Sequence, residues 1–305
     1  MEAIKKALRE GLPCNKQGYL RTFQENVYTG SMQSDFQGMF RDGSGNELDS
    51  KAKAVHSSSM LGYNFFHWVT KNRPLTIDGI DYTKVFFEVK MTVLKGTNPA
   101  NMDILLIGKK KRDKKIHLLF IESKFLEYLE NKEYKLGISY ENPQKWQDKD
   151  TNWMDFLKVV RKCVDEESRC KYKEGIKQGV SHIFALSNLA HKNENAISYL
   201  LRNNKCLGHD LNKESIKGAD IHFINLIFEP SKKCFRDEHE KFDDYKMLYI
   251  KFINKVKEHI CIEPLFKTYS DLWKSREIEE QIKKVNNCHL YQYLYERYMR
   301  FAELE

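Results

Sequence analysis

Long apolar runs are absent from the sequence: none reaches the length that a membrane-spanning helix needs. The first residues, Met1–Lys6, also lack the apolar region of a secretory signal peptide. We therefore expect a cytoplasmic protein with no membrane association. Internal repeats and low-complexity segments are missing as well, which argues against a repeat protein.

Paired cysteines are missing too. The chain has seven cysteines, an odd number, and no two of them are spaced as Cys-x-x-Cys. This pattern argues against a disulfide framework and against a structural zinc site, so we expect mostly reduced thiols in the core. The histidines His182 and His191 likewise show no metal-ligand spacing.

What the chain does contain is the composition of a globular protein. It has 305 residues, of which 41% are hydrophobic and 31% charged. This length allows one large domain or two small ones with a real core. The formal net charge of +8 mildly favours polyanionic partners.

The hydrophobic pattern predicts a helix followed by strands. Gly38–Ser50 is rich in Gly, Ser and Asp and is typical of a loop. A helix is predicted from Ser57, because apolar residues then recur at helical spacing up to Arg73-Pro74. The strands predicted from Val, Phe, Ile and Thr content are Lys84–Leu94, Met102–Gly108, Ile116–Phe125 and, later, Asp220–Phe228.

The remaining pattern is helical. The second and third strands flank the polar run Lys109–Lys115, which has the length of a hairpin loop, so we predict an antiparallel hairpin. Further helices are predicted over Trp153–Cys170, Lys173–Leu189, Tyr245–Ile260, Tyr269–Val285 and Leu290–Leu304. We therefore divide the chain into an N-terminal segment (1–50), a core (51–235) and a helical C-terminal extension (236–305) packed on the core.

Charged residues interrupt the apolar strands of the hairpin. Asp103 begins one strand, and Glu122 and Lys124 share a face near the end of the other. In a tight hairpin Asp103 can lie across from the Glu122–Lys124 end. Two nearby carboxylates repel each other unless a cation lies between them, and Mg²⁺, which prefers oxygen ligands, resolves this repulsion. Buried ion pairs rarely improve stability over apolar residues, so these charges favour function over a structural salt bridge.

Asp103 followed by Glu122-Ser123-Lys124 resembles the motif of the PD-(D/E)XK nuclease superfamily, the restriction-endonuclease-like proteins. Met102 stands where many members have Pro. The resemblance covers about residues 57–189 and rests on the order helix, strand, hairpin, helix. It implies an α/β fold in which helices flank a central mixed sheet.

The resemblance also implies roles for individual residues. Asp103 and Glu122 would bind Mg²⁺, with Mn²⁺ as a substitute, and the backbone carbonyl of Ser123 would add a ligand. Lys124 would position the attacking water. Glu88, on the preceding strand, would bind a second metal or its waters. Gln178, on the helix after the hairpin, matches the Gln that some subfamilies direct at the site.

A rival set within the chain is Glu88-Val89-Lys90, with Asp78 or Asp81 as its upstream acid. These aspartates are too close along the chain to leave room for a strand and a turn, so we favour the Asp103 set. The Lys109–Lys115 run would contact phosphates or form a solvated tip. The aromatic residues of the last helix would stack on bases or, as we favour, pack on the domain.

The resemblance thus implies a Mg²⁺-dependent deoxyribonuclease, with DNA as partner and a homodimer where both strands are cut. One alternative is a non-catalytic binding module for nucleic acid or protein on the same fold. A glycoside hydrolase that uses a carboxylate pair is another, and metal dependence separates it from a nuclease. The sequence leaves open whether the DNA is single- or double-stranded and whether the role is restriction or repair.

Overall fold

The computed structural model describes residues 1–43, 47–110, 115–129, 137–166 and 173–304. Part of the Lys109–Lys115 run and the predicted helix end at Cys170 lie outside these ranges. The strands are β1 (Leu75–Ile77), β2 (Ile80–Met91), β3 (Ala100–Lys110), β4 (Ile116–Lys124), β5 (Asp220–Ile227) and β6 (Pro264–Thr268). The α-helices of the described residues are α1 (Glu2–Arg9), α2 (Ser34–Asp42), α3 (Ser58–Phe66), α4 (Trp153–Glu166), α5 (Lys173–Ala190), α6 (Glu194–Asn203), α7 (Lys213–Lys217), α8 (Arg236–Val256), α9 (Tyr269–Lys274), α10 (Arg276–Lys283) and α11 (His289–Arg297).

The six strands form one mixed sheet in the order β1-β2-β3-β4-β5-β6. The first four pair antiparallel, and β5 and β6 are added in parallel to β4 and to each other. The predicted β3–β4 hairpin is confirmed, with Ile104 paired to Ile121. Helices flank the sheet, as the α/β prediction required.

The central strands are apolar on both faces because both faces are covered. Leu105, Leu106, Leu118 and Phe120 are at most 1% exposed. Strands that are buried on both sides carry near-continuous hydrophobic runs instead of an alternating pattern. This explains why β3 and β4 could be predicted from the sequence.

Helix α3 lies unusually close to the sheet beside the hairpin. The side chain of Ser57 caps it by accepting a hydrogen bond from the Met60 N–H at 3.3 Å. A Cβ on Gly62 would lie 3.0 Å from Cδ1 of Ile104 and 3.3 Å from Oγ of Ser123. Glycine therefore permits the contact that fixes α3 against the ends of β3 and β4.

The structure differs from the sequence prediction at several places, among them strand β1, which was not predicted. Residues 38–42, predicted as loop, belong to α2, because Phe40 is fully buried against the sheet residue Phe87. Strand β6 lies inside the range 236–305, for which we predicted helices alone. Its burial pattern is mostly intermediate, so this edge strand lacks the apolar run that marked β3 and β4.

The N-terminal segment and the last helices meet in one hydrophobic core that extends from Ile4 to Ala302. Arg297 donates to Oδ1 of Asn26 at 2.8 Å and to the Val55 carbonyl at 2.9 Å. Tyr298, in the predicted aromatic face, is buried and accepts from Nδ2 of Asn64 at 2.9 Å. The three-part division of the chain stays a prediction.

Candidate active site

The β3–β4 hairpin brings Asp103 next to the end of β4. Asp103 and Glu122 lie one step beyond the pair of Ile104 with Ile121, the last in the ladder. The Ser123 N–H donates to Oδ2 of Asp103 at 2.7 Å. The Asp103 carboxylate therefore takes the place of a ladder carbonyl, and this fixes its position at the strand end.

Glu122 and Lys124 point to one face of β4 and form an ion pair. Nζ of Lys124 lies 2.5 Å from Oε1 of Glu122, and the two side chains are 13% and 5% exposed. Burial lowers the pKa of the Lys124 ammonium, but the charges of Glu122 and Asp103 outweigh this effect and the net pKa is raised. Lys124 therefore stays protonated and works as a fixed cation and donor.

The carboxylates of the site are crowded and short of positive charge. Burial, and then the neighbouring Glu122, raise the pKa of Asp103 well above its usual value, although Lys124 opposes the shift. Oε2 of Glu122 is buried and has no hydrogen-bond partner among the described residues. A buried oxygen without a partner is costly. Hard carboxylate oxygens in this state fit a Mg²⁺ or Mn²⁺ ion as ligands.

Glu88 adds a third carboxylate from β2. In the ladder between β2 and β3 it lies between the pairs Phe87–Ile104 and Val89–Met102. This register places it opposite Asp103 on the neighbouring strand. Burial, followed by the charge of Glu47, raises its pKa to about 7. Its backbone φ is +53°, a conformation that costs a non-glycine residue about 1–3 kcal/mol and is often found at functional sites.

Glu47 is one of the two site residues that sequence reasoning missed. It is 5% exposed, accepts a hydrogen bond from Oγ of Ser59, and lies 3.2 Å from Nζ of Lys51. Its charge raises the pKa of Glu88. The residue follows a Gly- and Ser-rich stretch, so its local sequence carried no signal of burial or function.

Helix α5 closes the site on a further side. Gln178 lines the cleft, where the resemblance placed it. His182, which the sequence did not single out, lies with Nε2 3.6 Å from Oε2 of Glu122 and 3.3 Å from the Asn101 carbonyl. Burial lowers the pKa of His182, so its imidazole is uncharged at neutral pH.

These residues line one cleft of about 870 Å³. The acidic residues of its lining are Glu47, Glu88, Asp103, Glu122 and Glu127. Its basic residues are Lys51, Lys90, Lys124 and Lys177. Carboxylates and lysines that line the same cleft suit a ligand that carries phosphate groups and brings a divalent cation.

The structure does not bring the rival acids to this cleft. Asp81 lies at the other end of β2, opposite Lys109 of β3 in the strand ladder. Its Oδ1 accepts a hydrogen bond from Oγ1 of Thr76 at 2.8 Å. Glu88 lies seven positions after Asp81, or about 23 Å along an extended strand. Lys109 lies at that same distant end, so the described part of the lysine run is remote from Asp103.

Fold and site together define a restriction-endonuclease-like protein. A mixed sheet flanked by helices presents an Asp and a Glu-x-Lys at the end of a central hairpin. The family model described as "Restriction Endonuclease associating with ARP" matches residues 5–299, and the chain belongs to this family. No curated protein and no solved structure matches the chain. No helix in the described ranges is both long and apolar enough to cross a membrane.

Proposed function

We propose that this protein is a Mg²⁺-dependent deoxyribonuclease that hydrolyses DNA phosphodiester bonds. The observation that carries the proposal is the convergence of Asp103, Glu122 and Lys124 in one cleft. Three charges held in apolar strands cost stability, and buried ion pairs rarely repay that cost, so their presence favours a function. Membership of a restriction-endonuclease family supports the same conclusion.

Asp103 and Glu122 would hold the metal ion, with the Ser123 carbonyl as a further ligand. Glu88 and Glu47 would bind a second ion or the waters around the first. Bound there, the ion supplies charge to stabilise the phosphate as negative charge develops on it. Mn²⁺ offers the same preference for oxygen ligands and should replace Mg²⁺.

Lys124 would orient the attacking water through its ammonium donors. Its ion pair with Glu122 fixes the side chain at one place in the cleft, and the raised pKa keeps it a donor. The water attacks phosphorus, the P–O bond to the leaving deoxyribose oxygen breaks, and that oxygen takes up a proton from a second, solvent water. Uncharged His182, close to Glu122, can accept the proton that the attacking water releases.

The cleft lysines suggest how DNA would be held. Lys90 and Lys177 line the cleft beside the acids and would contact backbone phosphates, which position the DNA without reading its sequence. The family description names an association with ARP, and we propose that this chain likewise acts with a partner. No observation on the described residues supports a homodimer.

The test is cleavage of plasmid and single-stranded DNA with Mg²⁺ or Mn²⁺. We expect metal-dependent cutting by the wild type and a loss of at least about 10²-fold in Lys124→Ala and in Asp103→Asn. Asn can still accept the Ser123 N–H, so Asp103→Asn preserves the local hydrogen bond. Lys109→Ala, at the far end of the hairpin, is the matched control and should cut like the wild type.

Three results would contradict the proposal. If the wild type neither cuts DNA nor binds Mg²⁺ in calorimetry, the non-catalytic binding module becomes the favoured function. Hydrolysis of glycosides without metal would instead favour the carboxylate-pair glycosidase. Full cutting by both variants would mean that the residue roles are wrong.

A further inference from the structure

A second cluster of potential metal ligands lies outside the cleft. Asp148 and Asp150 precede α4, and His191 directly follows α5. Ligand atoms of these three residues all lie within 4.8 Å of one another. Sγ of Cys261, in the segment before β6, lies 3.7 Å from Nδ1 of His191. None of the four residues lines the cleft.

One carboxylate oxygen of Asp148 is buried and faces the imidazole of His191. Its Oδ1 accepts the backbone N–H of Asp150 at 2.8 Å and of Thr151 at 3.4 Å. Its Oδ2 is buried, lies 2.9 Å from Nδ1 of His191, and forms no hydrogen bond. The side chain, 0% exposed, is therefore held by one oxygen while the other points at the imidazole.

The approach of two groups to the same nitrogen distinguishes a metal centre from a catalytic triad. Oδ2 of Asp148 and Sγ of Cys261 both lie next to Nδ1 of His191. In a nucleophile–histidine–acid relay, the nucleophile and the acid contact opposite ring nitrogens. In the observed arrangement an oxygen and a sulfur instead approach the same imidazole nitrogen.

The separation between the imidazole nitrogen of His191 and the sulfur of Cys261 fits the size of a zinc ion. Zn–N distances of about 2.0–2.1 Å and a Zn–S distance of about 2.3 Å, at a tetrahedral angle, place the nitrogen and sulfur about 3.6 Å apart. The observed separation of Nδ1 and Sγ is 3.7 Å. Thiolate and imidazole ligands together select zinc over Mg²⁺, which prefers all-oxygen sites.

We propose that Asp148, Asp150, His191 and Cys261 bind one Zn²⁺ ion, in a site separate from the nuclease centre. Asp150 and Cys261 are exposed, so the ion enters from solvent. On binding it would join the segment before α4, the end of α5 and the approach to β6. Because α5 carries Gln178 and His182, the ion stabilises the helix that closes the cleft.

The ligands are held in place without an ion. The Asp148 N–H donates to Oδ1 of Asn188 at 3.0 Å, and Nδ2 of Asn188 donates to the carbonyls of Thr92 and Val93 at 3.2 and 3.1 Å. His191 directly follows α5, and its backbone N–H donates to the Ser187 carbonyl at 2.9 Å. Substitution of His191 or Cys261 side chains therefore leaves these backbone contacts intact.

The experiment titrates Zn²⁺ into the chelator-stripped full chain by calorimetry and Co²⁺ by absorption spectroscopy. We expect one tight Zn²⁺ site in the wild type, and at least about tenfold weaker binding in Cys261→Ser and in His191→Gln. Bound Co²⁺ should give a thiolate charge-transfer band in the wild type that Cys261→Ser lacks. Cys234→Ser removes another exposed cysteine and should behave like the wild type.

Two outcomes would overturn the proposal. One is Zn²⁺ affinity in both ligand variants equal to that of the wild type; the other is a thiolate band that persists in Cys261→Ser. Zn²⁺ bound at the cleft carboxylates gives no thiolate band, so the spectrum separates the two sites. The result does not depend on DNA cleavage, and a failure of the nuclease proposal leaves this test unaffected.

Discussion

Replacing Glu88 by Gln should make the metal-free protein more stable at pH 8. The substitution keeps the size of the side chain, its φ of +53°, and an oxygen that can accept the hydrogen bond Asn101 donates to Glu88 at 3.3 Å. What it removes is a negative charge that is buried beside Glu47 and Glu122. The effect on stability therefore isolates the electrostatic cost of that charge.

The size of the effect follows from the pKa. Burial and the neighbouring carboxylates raise the pKa of Glu88 from 4.5 to about 7. At about 1.36 kcal/mol per pKa unit, this corresponds to a stability cost of about 3 kcal/mol for the charged form. Because the folded-state pKa lies above the unfolded one, the wild type loses this stability as pH rises from about 4.5 to about 7.

Urea unfolding of the metal-free proteins at pH 4.5 and pH 8 measures the effect. We expect Glu88→Gln to match the wild type at the lower pH and to exceed it by up to about 3 kcal/mol at the higher pH. Adding Mg²⁺ at pH 8 should stabilise the wild type more than the variant, since the ion offsets the carboxylate charge. Glu10→Gln, at an exposed carboxylate, should change stability by less than about 0.5 kcal/mol.

The reasoning would be refuted by a variant that is no more stable than the wild type at pH 8. A gain of equal size at both pH values would also contradict it, because a gain at low pH cannot come from removing a charge.

Ser59→Ala should weaken Mg²⁺ and Mn²⁺ affinity by about 10–100-fold in calorimetry, because Ser59 orients Glu47; unchanged affinity would remove Glu47 from the site. Gly62→Ala should destabilise the protein by about 1–3 kcal/mol in thermal melts, since the Cβ of the new alanine would lie 3.0 Å from Cδ1 of Ile104. Gly38→Ala, in a helix with open space, is its control and should be neutral or stabilising by up to about 1 kcal/mol. His182 should titrate below 6.5 in NMR, since burial lowers its pKa; a midpoint at or above that value would contradict the packing described.

Local sequence patterns were sufficient for the central strands, and they indicated three residues of the candidate site. The apolar runs of β3 and β4 were legible because both faces of the sheet are buried, and the polar run between them indicated the hairpin. Asp103, Glu122 and Lys124 stood out because charges in such runs are unusual. The period of a strand then placed Glu122 and Lys124 on one face, as the structure has them.

Residues that reach a site from other parts of the chain carried no such signal. Glu47 follows a polar, glycine-rich stretch, yet it is buried and accepts a hydrogen bond from Ser59 on α3. His182 looked like an ordinary helix residue until the packing of α5 placed it beside Glu122. Strand β6 was missed because a half-buried edge strand of five residues has a weak hydrophobic pattern.

The sequence by itself determined the α/β class, the hairpin and the acid–acid–lysine motif, because each depends on periodicity or spacing over a few residues. The tertiary structure decided which distant residues join them, namely Glu47 and His182 at the cleft. It also decided that His191 and Cys261, 70 residues apart, meet beside Asp148. Such contacts arise from the packing of separate elements on the sheet, and no short-range spacing along the chain encodes them.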